Sequence, residues 1–95
     1  MNAQQLLKSA HNDASPPQPL SLELQALWLQ QAGDWDASHE LCNEIPDPAG
    51  AWIHAYLHRV EGDLGNAGYW YHRAGKEMPD SSLQQEWLEI ATALR

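Results

Sequence analysis

Apolar residues return along this chain at three- and four-residue intervals, the period of an α-helix, and no segment carries a competing strand pattern. Ala3, Leu6, Leu7 and Ala10 fall at i, i+3, i+4 and i+7. That amphipathic segment is too short to hold its helix alone in water, so it is expected to dock or to fray. Residues 12–19 read Asn-Asp-Ala-Ser-Pro-Pro-Gln-Pro, and prolines at 16, 17 and 19 predict an extended linker. A helix is then expected from about Ser21 to Ala32, with Leu20, Leu24, Leu27 and Trp28 on one stripe. A second is expected from about Trp35 to Ile45, turning Trp35, Leu41, Cys42 and Ile45 inward. The third, from about Ala49 to Val60, puts Trp52, Ile53, Tyr56, Leu57 and Val60 on an arc of about 140°, at roughly 100° per residue. A fourth is expected to continue to about Gly75, with Leu64, Ala67, Tyr71 and Ala74 facing the third. A fifth carries Leu83, Trp87, Ile90, Ala91 and Leu94 on one stripe.

The corners between these helices have their own chemistry. Gly33 and Gly62 suit the left-handed conformation that ends a helix, and Asp34 and Asp63 are placed to cap the helix that follows. Pro46 stops the second helix, and Asp47-Pro48 reads as an N-cap followed by proline at the first helical position. Pro79, Asp80 and Ser81 introduce the last helix.

Gly33-Asp34-Trp35-Asp36-Ala37 and Gly62-Asp63-Leu64-Gly65-Asn66-Ala67 stand 29 residues apart, each between two helical patterns, which marks an internal repeat of helical hairpins. With Tyr69-Trp70-Tyr71, Arg73-Ala74 and Pro79, the second unit resembles the tetratricopeptide and Sel1-like repeat families over about residues 20 to 80. The resemblance implies an all-α fold: two antiparallel helical hairpins of an α-α superhelix, with the last helix as a cap on the open end of the stack. Residues 1–19 would then be an N-terminal amphipathic segment and proline-rich linker, and residues 20–95 the repeat domain.

Composition narrows the function classes. With 95 residues, 43% of them hydrophobic and five Trp, the chain supports one small packed domain, and no apolar run approaches the ~20 residues of a membrane span. The single cysteine, Cys42, excludes an internal disulfide. A formal net charge of -8 is the wrong sign for a nucleic-acid partner. The opening Met-Asn-Ala-Gln-Gln-Leu-Leu-Lys has neither the basic nor the apolar region of a secretory signal, which predicts a cytoplasmic protein. Between Leu20 and Pro48 stand Glu23, Asp34, Asp36, Glu40, Glu44 and Asp47 with no Lys or Arg, a face that suits solvent or a basic partner.

Few residues carry candidate chemistry. His54 and His58 lie at i, i+4 with Glu61 at i+7, on the face opposite the apolar arc, a spacing able to hold a metal. Position 55 is Ala, so the His-Glu-x-x-His arrangement is absent, and His11, His39 and His72 are scattered. The expectation is two surface histidines, with no metal and no cofactor; a small metal-dependent enzyme or metal carrier using His54, His58 and Glu61 is the alternative. Tyr69-Trp70-Tyr71 sweeps about 200° of helix, so at least one ring lies outside the core. Cys42, between Leu41 and Ile45, reads as an inert core thiol.

These residues point to a non-enzymatic module that binds a protein or peptide partner, or a second copy of itself. In the families the chain resembles, the first helix of each hairpin lines the concave surface, which implies a groove presenting His54, His58, Arg59 and Glu61. Asn66, Tyr69 and Arg73 make a second, convex patch suited to self-association.

Overall fold

The computed structural model describes residues 1–95 and contains six helices and no strand. They are α1 (Ala3–Asn12), α2 (Leu22–Gln31), α3 (Trp35–Cys42), α4 (Ala49–Val60), α5 (Leu64–Ala74) and α6 (Leu83–Ala93). None is long and apolar enough to cross a membrane.

The N-terminal segment docks. Asn2 and Gln5 form a capping box, each side chain accepting the other's backbone N–H at 2.8 Å. Leu6 and Leu7 enter the main core with Leu27, Ile53, Leu57, Trp87 and Ile90. The indole of Trp28 donates to Ser9 Oγ at 3.1 Å, tying α2 to α1.

Asp34 accepts the Ala37 N–H and Asp63 the Asn66 N–H, as the sequence predicts, and Gly33 and Gly62 take φ values of 97° and 83°. The third corner differs. Pro48 is the N-cap of α4 and no side chain caps it. Asp47 instead accepts from Arg73 Nη2 at 2.6 Å, tying the corner to α5. Gly50, the second residue of α4, lies so close to the Ile45 carbonyl oxygen that a Cβ there would collide with it.

α2 pairs with α3 and α4 with α5, each across one glycine-aspartate turn, while α6 packs on α4, α2 and α1. α6 therefore folds back over the core and does not extend the stack beyond α5. It reaches α5 through Tyr71, whose hydroxyl donates to Glu86 at 2.7 Å. Glu86, only 1% exposed, also accepts from Arg59 Nη1 at 2.9 Å, and Arg59 Nη2 donates to the Ser81 carbonyl. Burial, and next the hydrogen bond to Glu86, push the Tyr71 phenol above its usual range.

This arrangement puts α4 at the centre, with α2, α3, α5 and α6 around it. From Ala51 to His58 only Trp52 escapes full burial. A helix so enclosed has no solvent face, so the amphipathic reading of this segment fails: His54 and His58, expected at the surface, are 5% and 6% exposed. Two smaller corrections concern Leu64 and Leu83, expected to face the core and found exposed.

Candidate functional site

Helices α3, α4 and α5 meet at a corner that gathers three of the five histidines and two of the five tryptophans. The Asp34 cap starts α3 so that Trp35 and His39, one turn apart, face α4. The Trp35 indole donates to the Leu57 carbonyl at 2.9 Å, and its ring stacks on His39 with centroids 4.8 Å apart. His39 thereby reaches α4, where its Nε2 lies 3.1 Å from Nε2 of His54. One of these two nitrogens carries a proton and the other a lone pair.

His58, one turn beyond His54, completes the group. Its ring centroid is 5.4 Å from that of His39 and 5.8 Å from that of His54, and one nitrogen from each of the three rings falls within 4.8 Å of the others. His58 Nδ1 is 2.8 Å from Glu61 Oε1. Because an ionised carboxylate only accepts, Nδ1 holds the proton and Nε2 is left with a lone pair, directed toward the Asn66 amide at 3.5 Å.

α5 closes the corner with Trp70, stacked on His54 at a centroid distance of 4.0 Å. Outside Trp70 lies the Arg73 guanidinium, 4.6 Å from the indole centroid and 6.0 Å from that of Tyr69. The His54 pKa is lowered from 6.5 to about 4, chiefly by burial and then by His39, His58 and Arg73, with Asp47 opposing them. Cys42 lines the same cleft as His54, Trp70 and Arg73, but burial pushes its thiol up to about 12, so it stays protonated as an inert core group.

The residues expected to bind a partner thus divide. His54, His58 and Arg59 are withdrawn from the surface, the last into its ion pair with Glu86. Glu61, Asn66, Tyr69 and Arg73 are exposed and lie over the cluster. Of the three histidines expected to be scattered, His11, His39 and His72, only His39 joins the cluster, and its place one turn from the inward Trp35 is the sequence signal for it. Of the acidic stretch, Asp36 and Glu40 on α3 and Glu44 in the turn after it are exposed, whereas Asp34 is engaged as a cap and Asp47 with Arg73.

The outer face of α5 adjoins the cluster. The backbone of α5 lies close to that of α4 alone, and Tyr71 on its inner side is what reaches α6. Leu64, Gly65, Gly68, Tyr69 and His72 fall at i, i+1, i+4, i+5 and i+8 along one exposed side, with Leu64 and Tyr69 each 56% exposed. Apart from the backbone of α5 itself and the adjoining residues, nothing lies within 4 Å of where a Cβ would stand at Gly65 or Gly68, so this side is open.

Comparison of the chain with protein families, curated proteins and solved structures finds no match.

Proposed function

We propose that this chain is a small non-enzymatic interaction module, built from helical hairpins of the tetratricopeptide or Sel1 kind, that takes a helix of a protein partner along the outer face of α5. The observation that carries this reading is the lone position of α5, which leaves a two-turn strip of Leu64, Gly65, Gly68 and Tyr69 without a partner. Apolar side chains at helical spacing with glycines between them suit an amphipathic helix, since each missing side chain lets the two backbones approach. Tyr69 beside Arg73 adds two residue types enriched at interface hot spots. Burial of His54 and His58 takes two of the four side chains expected in the groove of the second hairpin away from a partner, which favours the convex patch over that groove.

Capture of partners from the native host by the wild-type chain, Tyr69→Ala and Gly68→Leu tests the reading. Both substitutions are at exposed positions and leave the core alone, so far-UV circular dichroism should match the wild type. Capture lost in both variants and kept in Glu89→Ala, on exposed α6 surface, supports it. Equal capture by all four proteins refutes it, and wild-type dimers in sedimentation velocity that Gly68→Leu dissociates would replace the partner helix with a second copy.

A further inference from the structure

We propose that His39, His54 and His58 form a transition-metal site, with Glu61 holding the His58 ring, and that its metal is zinc or a divalent ion of similar preference. This inference stands apart from the interaction reading, since it rests on the interior of the corner and not on the α5 surface.

The geometry is close to what such an ion requires. A tetrahedral zinc about 2.0–2.1 Å from each nitrogen holds its ligands about 3.3 Å apart. The Nε2 atoms of His39 and His54 stand at 3.1 Å already, and the third nitrogen lies within 4.8 Å of both. Closing the triangle therefore takes a movement of about 1.5 Å at most, within reach of small ring rotations. Two side chains an α-helical turn apart and a third from a facing helix are a common way to place three imidazoles around one ion.

The protons are also well placed. Glu61 holds Nδ1–H of His58, the carboxylate–histidine pairing that orients ligand imidazoles elsewhere, and so puts the lone pair on Nε2, which ligates by exchanging its long 3.5 Å contact with the Asn66 amide for the metal. The proton shared by the two facing Nε2 atoms moves to Nδ1 of its own ring when the metal enters, a change of tautomer that alters no net charge. Three neutral imidazoles without a thiolate or a carboxylate select zinc, copper, nickel or cobalt and disfavour magnesium and calcium.

Bland packing accounts poorly for the same residues. Buried between two indoles, leucines would fill the volume without desolvating polar rings, whereas imidazoles there need partners. His39 and His54 find theirs only in each other, across a contact that a metal would satisfy better. The second carboxylate group in reach, Glu61 with Asp63 and His58, is already engaged, because Asp63 accepts the Asn66 N–H as the α5 cap. Half-buried His39 leaves a path for the ion, and a water completes the tetrahedron on that side.

The test uses the full chain, dialysed against a chelator and then titrated with Zn2+ by calorimetry and with Co2+ by visible absorption. One equivalent of each, with the intense absorption of four-coordinate cobalt, is expected. His39→Gln should weaken zinc binding at least about tenfold, and Glu61→Gln about 10–100-fold. A His11→Gln/His72→Gln double variant should bind as the wild type does. Paramagnetic shifts from Co2+ on the unmodified chain need no variant to fold, and should fall on the ring protons of His39, His54 and His58. Absence of stoichiometric binding, an unchanged affinity in folded His39→Gln, or shifts confined to His11 and His72 would overturn the proposal.

Discussion

Acidifying the metal-free protein from about pH 7.5 to about pH 4.5 should remove a defined share of its stability through His54. In the unfolded chain this imidazole takes up its proton near 6.5, whereas in the folded chain it does so near 4. Desolvation is the main cause: the ring is 5% exposed, beneath Trp70. Repulsion from His39, His58 and Arg73 adds to it, and attraction to Asp47 works against it. Between those two values the unfolded state binds more protons than the folded one, so stability rises with pH across the window and is lost as pH falls through it. Above 6.5 the contribution is complete, and below about 4 both states are protonated and no further loss follows. A difference of about 2.5 units at 1.36 kcal/mol each sets a ceiling of about 3 kcal/mol. That is a large part of the 5–15 kcal/mol typical of a domain. Urea unfolding followed by tryptophan fluorescence should show it, with His54→Phe as the control that keeps an aromatic ring under Trp70 and removes the titration. The wild type should lose about 2–3 kcal/mol more than the variant over this range. Parallel stability curves for the two proteins, or a His54 ring-proton titration with its midpoint near 6.5, would refute the reasoning.

Two glycines should differ in what they tolerate. Gly50→Ala drives a methyl into the Ile45 carbonyl, a backbone atom that cannot rotate aside, and should cost about 2 kcal/mol or more in a thermal melt; Gly62→Ala meets open space and should lose only the roughly 1–2 kcal/mol of its positive φ. An unchanged melting temperature in Gly50→Ala would refute the steric account. Two ion pairs should differ in the same way. Glu86→Leu leaves the Arg59 guanidinium buried without its carboxylate and should cost about 3–5 kcal/mol, whereas Asp47→Asn loosens an exposed pair and should cost under about 1 kcal/mol. Equal losses in the two variants would show that burial does not set their worth.

Helix boundaries were legible because the breakers are local: Gly33-Asp34, Pro46 and Gly62-Asp63 act within three or four residues, and each observed helix begins and ends within a few residues of its sequence-predicted bounds. Burial was less legible, because it depends on how many neighbours a helix acquires. α6 illustrates this. Glu86 lies on the same stripe as Trp87 and Ile90, and nothing local to it shows that Tyr71 and Arg59 will arrive from two other helices to meet its carboxylate. The imidazole cluster failed to show for the same reason. His39 and His54 are 15 residues apart, and their contact exists only because the Pro46–Pro48 corner turns α4 back along α3.

The polar stripe of α4 shows what that enclosure entails. His54, Arg59 and His58 were expected to meet water, and each meets a different element instead: His39 on α3, Glu86 on α6, and Glu61 at the C-cap of α4 itself. An apolar helix in this central position could slide by a turn against its neighbours and still bury its surface. A helix whose His54 and Arg59 find their partners on other elements cannot, because a slip of one turn would strand a guanidinium and an imidazole in the interior, at a cost of several kcal/mol for the charge alone. The same residues therefore fix the register of α4 against α3 and α6, and that register is what brings three imidazole nitrogens within 4.8 Å. Structural and binding roles are not alternatives at this corner. The Arg59–Glu86 pair holds the helix at one height, and the histidines stand where that height puts them.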